Sequence, residues 1–151
     1  MNGGPDDYLV STDADMVDVD FVCRALAGSY WAQSRTREAI EASIRNSLCF
    51  GVYETPGLRQ VGFARVVTDG ATFSWLCDVI VDGEHRKKGL GKRLVASVLG
   101  HPDVQGTTIL LGTRDAHGLY EPFGFVRSEM MRRAPPSGMP RLPQDTPRSE
   151  P

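Results

Sequence analysis

The 151 residues are 40% hydrophobic and 24% charged, the balance of a single globular domain long enough to bury a core of its own. A net charge of −2 excludes nucleic acid as a partner held by bulk electrostatics, and three cysteines without Cys-x-x-Cys spacing argue against a zinc site and a disulfide framework. With no apolar run of membrane-spanning length and no signal-peptide pattern, the expectation is a cytoplasmic protein with neither metal nor membrane as partner.

Tyr8 to Thr12 predicts a short strand. Asp18 or Asp20 can cap a helix that gathers Phe21, Val22, Ala25 and Leu26 on one face and stops at Gly28. Thr36 can cap a second helix, with Ile40, Ile44 and Leu48 at helical spacing. Three strands follow, Leu48 to Glu54, Gln60 to Thr68 and Thr72 to Val81, separated by the turn formers Pro56-Gly57 and Asp69-Gly70. Helical periodicity returns at Leu90, turns Leu94, Val95, Val98 and Leu99 inward, and ends at Gly100 and Pro102. Thr108 to Leu111 predicts a buried strand, Asp115 to Glu121 a short helix, and Phe125 to Met131 a final strand. Counting by alternation, Trp75 falls opposite Asp78 and belongs to the core. The order β-α-α-β-β-β-α-β-α-β predicts an α/β (α+β) fold, a mixed and mostly antiparallel sheet flanked by helices. Residues 1–133 are the expected domain. Residues 134–151 hold six of the ten prolines and no apolar periodicity, so they are expected to be a disordered tail.

Charge is unevenly placed. Residues 1–20 contain six aspartates and no base, whereas residues 82–93 contain five Lys and Arg against two acids. In the second segment an apolar strand runs into Arg86-Lys87-Lys88-Gly89-Leu90-Gly91-Lys92-Arg93, which holds every lysine of the chain and opens a helix. Main-chain N–H groups at a helix start bind anions, and glycines let a phosphate approach the backbone. The implied ligand carries phosphate. A nucleotide P-loop would require Ser or Thr where Arg93 stands. A dinucleotide fingerprint would require glycine in place of Leu94, and an acid that Thr108 to Gly112 does not supply.

What remains, Arg86-x-x-Gly89-x-Gly91 after a strand, resembles the pyrophosphate-binding motif of the GNAT superfamily, the acetyl-CoA-dependent N-acetyltransferases. About 30 residues on, Leu119-Tyr120-Glu121-Pro122-Phe123-Gly124-Phe125 resembles the Leu-Tyr-Glu-x-x-Gly-Phe segment that closes the family's core. The resemblance covers roughly residues 8 to 131 and implies acetyl-CoA as co-substrate without a metal. It places Arg86, Lys87, Lys88, Gly89, Leu90, Gly91 and Lys92 around the diphosphate, the main chain of Val79 and Val81 beside the thioester, and Tyr120 in the role of acid. Thr113 stands where the family often has an asparagine that contacts or orients the pantetheine arm; it can supply one hydrogen bond, not a donor–acceptor pair.

Acetyl transfer needs a polarised carbonyl, an uncharged amine and a proton for the departing thiolate. A phenol with an ordinary pKa near 10 still holds its proton at neutral pH, which suits Tyr120 to the last task. Asp78 lies within the apolar run Leu76-Cys77-Asp78-Val79-Ile80-Val81, where a carboxylate needs a reason. It is either the base that takes the ammonium proton or the partner of an arginine such as Arg65; Glu54, Asp115 and His117 are alternative bases. The segment Ser29 to Arg35 falls on the family's acceptor side, so Tyr30, Trp31 and Arg35 either sandwich an amine and clamp its carboxylate or simply pack. The function implied is acetyl transfer to a primary amine, expected on a small molecule. A protein amine as acceptor, a silent acyl-CoA-binding module, and a homodimer all stay open.

Overall fold

The computed structural model describes residues 7–136, so residues 137–151 of the expected tail lie outside the described residues. Local chemistry starts the first two helices. The Asp18 carboxylate accepts from the Phe21 N–H at the start of α1 (Val19–Ala27), and the Thr36 hydroxyl accepts from the Ala39 N–H at the start of α2 (Arg37–Arg45). Such caps satisfy N–H groups that the helix itself cannot.

Five strands, β1 (Tyr8–Ser11), β2 (Leu48–Glu54), β3 (Arg59–Thr68), β4 (Phe73–Val81) and β5 (Thr108–Leu111), lie in the order β1-β2-β3-β4-β5. The first four are antiparallel neighbours; β4 and β5 are parallel. Parallel neighbours need a crossover, and α3 (Leu90–Gly100) provides it. A short α4 (His117–Tyr120) follows β5.

The central strands are covered on both faces, which is why their apolar runs are nearly unbroken. On one face Phe50, Val52, Val66 and Leu76 pack with Leu90, Leu94, Val95 and Val98 of α3 and with Tyr120. On the other, Cys49, Phe63 and Ile80 pack with Phe21, Val22, Leu26 and Ile40 of α1 and α2. Each fully buried aliphatic side chain here contributes roughly 1.5–3 kcal/mol. The Tyr53 ring folds across Gly51 so closely that a Cβ there would overlap the phenol, so a larger residue would have to displace this buried ring.

Three expectations are corrected. Phe125 to Met131 forms no strand: it has no ladder partner, and Val126 and Met131 are 85% and 98% exposed. β5 therefore has no strand on its outer side among the described residues, and its side chains are exposed or half-buried rather than buried. Trp75 joins neither apolar cluster and lies half-buried against Gly112, and the register shift at Asp78 breaks the alternation that set the two on opposite faces. No helix among the described residues is long and apolar enough to cross a membrane.

Candidate active site

The site begins with a register fault. Phe63 pairs with Ile80 and Arg65 with Cys77, so two steps along β3 match three along β4. The extra residue bulges β4, and Asp78 takes a left-handed φ of 55°. Pairing between β4 and β5 stops at Leu76 with Leu111, and among the described residues the last residues of β4 have β3 alone beside them. The Asp82 N–H donates to the Val61 carbonyl at 2.8 Å. Main-chain groups alternate between the two edges of a strand, so those of Val79 and Val81 point away from β3 into the gap. The gap thus has a polar main-chain edge in apolar surroundings, able to pair with an extended amide chain or to polarise a carbonyl.

The basic turn stands at the end of this gap. β4 runs into a short 3₁₀ turn (Gly83–His85), and Lys87 and Gly89 take left-handed φ values of 63° and 76° on either side of Lys88. Left-handed residues before a helix turn successive N–H groups toward one concavity, a geometry that binds anions. Gly89 caps α3, and a Cβ on it would meet nothing within 4 Å, so the concavity opens to solvent. Arg86, Lys87, Lys88 and Lys92 are exposed around it. Leu90 is buried under α3, so it contributes its main chain.

One residue of β1 ties this turn down. Lys88 Nζ donates to the Tyr8 hydroxyl at 3.3 Å, and Arg93 Nη2 donates to the Tyr8 carbonyl at 2.9 Å. The same hydroxyl lies 2.9 Å from Nδ1 of buried His85, whose Nε2 accepts from Arg59 Nη2 at 3.1 Å. A guanidinium only donates, so the ring proton sits on Nδ1 and points at Tyr8. His85, Asp82 and Glu84 bring ligand atoms within 4.8 Å of one another. Both ring nitrogens of His85 are engaged, however, which makes this trio a poor start for a metal site.

On the opposite face of the bulge Asp78 sits in a cage. Arg35 Nη1 donates to both carboxylate oxygens at 2.9 and 2.8 Å, Arg65 Nε to Oδ2 at 2.9 Å, and Trp31 Nε1 to Oδ1 at 3.0 Å. The arginine-partner reading of Asp78 is the one this geometry contains; a base would need a free lone pair, and these are occupied. Arg35, expected to clamp a substrate carboxylate, holds Asp78 through Nη1. Tyr30 packs edge-on against Trp31, its hydroxyl accepts from the Arg114 N–H at 3.1 Å, and the Arg114 guanidinium lies 3.9 Å above its ring.

Tyr120 is buried where α4 meets α3 and β4. Burial first, then Tyr30, Asp115 and Cys77 nearby, pushes its phenol up to about 12, so it stays protonated at neutral pH. The Thr113 hydroxyl accepts from the Ala116 N–H at 2.9 Å and so shapes the approach to α4. Glu54 pairs with Arg59 at 3.3 Å, Asp115 is exposed and His117 is half-buried. Burial pushes the Cys77 thiol up to about 12 and that of Cys49 to about 11, and raises Cys23 as well. None of the three is an activated nucleophile.

A family model described as an acetyltransferase (GNAT) domain matches residues 45–127. The chain belongs to the GNAT family of acetyltransferases. A solved Xanthomonas campestris protein assigned to that family is 40% identical, with 90% of this chain and 98% of that one covered and a TM-score of 0.82. A curated Gibberella zeae protein assigned as an acetyltransferase is 36% identical over 104 residues; the match covers 57% of this chain and 59% of the relative's length. The glucosamine-6-phosphate N-acetyltransferase of Arabidopsis thaliana, at 16% identity and TM-score 0.63, shares the fold over 83% of this chain and 96% of its own.

In this GNAT acyltransferase Val79, Val81, Leu90 and Tyr120 belong to one apolar cluster, so the gap, the start of α3 and α4 lie on one side of the sheet. Tyr8, His85 and Arg59 carry no sequence signal: a tyrosine in a first strand and a histidine before a basic turn read as packing until the fold joins them across 77 positions. Gln60, buried, is a similar omission; its Oε1 accepts from the Asp18 N–H and its Nε2 donates to the Gly62 carbonyl, tying α1 to β3.

Proposed function

We propose that the protein transfers acetyl from acetyl-CoA to a primary amine of a small molecule, by direct attack on the thioester. The observation that carries this reading is the edge of β4 beyond Leu76, without a strand partner on its β5 side and ending at the basic turn. An extended pantetheine arm fits as the missing strand, with the Val79 N–H toward the thioester carbonyl. The diphosphate then lies at the N–H groups of residues 86–91, with Lys87, Lys88 and Lys92 around it. Family membership and the protonated thiols both favour a single displacement without an acyl-enzyme. The amine nitrogen bonds to the acetyl carbon, the C–S bond breaks, and the sulfur takes the Tyr120 proton, which water restores. The ammonium proton leaves to solvent rather than to Asp78, whose oxygens are taken by Arg35, Arg65 and Trp31.

The test is thiol release from acetyl-CoA across a panel of amines, with the acetylated product identified by mass. Tyr120→Phe is expected to lower kcat at least about tenfold while the KM for acetyl-CoA stays within about twofold, since the phenol acts on the leaving sulfur and not on binding. Unchanged turnover would remove Tyr120 from the reaction.

A further inference from the structure

The cage around Asp78 is unbalanced in charge. The side chains of Arg35, Arg65 and Asp78 are 3%, 2% and 1% exposed, and among the described residues Asp78 is the sole acid paired with either arginine. The neighbouring thiols Cys49 and Cys77 do not supply the missing charge, because burial keeps them protonated. Two buried guanidiniums thus share one carboxylate, and a buried, uncompensated cation is strongly disfavoured.

Hydrogen bonding points the same way. Arg35 serves both Asp78 oxygens with Nη1, and its Nε and Nη2 are buried without a partner among the described residues; Arg65 Nη2 is in the same state. The Nε/Nη2 edge of a guanidinium is a two-pronged donor that matches a carboxylate. Arg35 meets the bulged residue Asp78 through Nη1, and Val79 is the next residue along β4. Tyr30 and Trp31, both half-buried and stacked edge-on with centroids 5.0 Å apart, belong to the segment that carries Arg35, and Trp31 donates to the same Asp78.

We propose that the acceptor is an aminocarboxylate whose carboxylate is anchored by the Nε/Nη2 edge of Arg35. The inference rests on the acetyl-transfer reading and names the acceptor's class. The anchored acid completes the charge of the cage, and the amine at the molecule's other end is left facing the thioester gap. Since both edge atoms are covered, the site must open as the acid enters, and Trp31, which donates to the same Asp78, is an intrinsic fluorophore beside the event.

The full chain is assayed for thiol release with aminocarboxylates and with their carboxamides, methyl esters and decarboxylated amines. Loss of the carboxylate is expected to lower kcat/KM at least about a hundredfold, because it leaves buried donors unpaired. Arg35→Lys, which keeps the charge and loses the fork, should remove that discrimination while CoA affinity by calorimetry stays within about twofold. Should that variant fail to fold, the native protein decides. Tryptophan emission and melting temperature should respond to the aminocarboxylates and not to their carboxamides. Equal use of amines with and without a carboxylate overturns the proposal and leaves acetyl transfer intact; the Arg35 edge is then met by internal water. Carboxylate-dependent emission with no acetylation of any amine keeps the anion site and overturns the transfer reading instead. The absence of both the discrimination and the emission response overturns the proposal outright.

Discussion

Replacing Gly89 with glutamate is expected to weaken coenzyme A binding at least about a hundredfold in a protein that still folds. Two effects add at this position. Gly89 has a φ of 76°, and a residue with a Cβ pays about 1–2 kcal/mol to stay there. The new carboxylate would project toward the ligand's diphosphate. At about 5 Å and an effective dielectric of about 20, one pair of like charges costs roughly 3 kcal/mol. The fold is spared because a Cβ at Gly89 meets nothing within 4 Å. Gly89→Ala separates the two effects, carrying the backbone cost alone, and should weaken binding about tenfold or less. Calorimetry with coenzyme A, on variants whose circular dichroism matches the native protein, reads both. Equal affinity of the native and glutamate proteins would disconnect the basic turn from the diphosphate.

What could be read from the chain was local. Asp18 and Thr36 cap their helices because Ser, Thr, Asp and Asn do so wherever an amphipathic run follows. The basic glycine turn is likewise contiguous, and Gly89 takes the left-handed angle that its lack of a Cβ permits. The unforeseen features are products of pairing between distant segments. The bulge at Asp78 is a mismatch of register between β3 and β4, and no window within β4 contains it. Its consequence reached the reading of Trp75, whose face was counted through the fault. Asp78 itself was conspicuous as a carboxylate in an apolar strand, and Arg65 was visible as a neighbour. Arg35 and Trp31 lie 43 and 47 positions away, and nothing local connects them to that aspartate. Phe125 to Met131 has strand-like composition, yet composition cannot supply the neighbouring edge that a strand requires.

Asp78→Asn is expected to destabilise the protein by about 3–5 kcal/mol, the cost of removing one partner from a buried ion pair. Asparagine is the informative replacement. It has the same shape, tolerates the left-handed φ of 55° as aspartate does, and retains an oxygen to accept from Trp31. What it lacks is the charge that holds Arg35 and Arg65 together. Both guanidiniums would then be buried without any counter-ion, against a total stability of about 5–15 kcal/mol for an ordinary domain. Urea unfolding should show a lower midpoint with an unchanged slope, the signature of a weakened native state rather than an altered unfolded one. The outcome separates the two roles that a carboxylate beside the thioester could have. A general base contributes to rate and little to stability, so its amide variant would unfold near the native midpoint while its pH–rate profile changed. A loss of less than about 1 kcal/mol together with a shifted profile would restore Asp78 as the base. A large loss with an unshifted profile fixes it as the anion that lets two arginines exist inside the sheet, and makes Arg35's remaining donors available to a ligand.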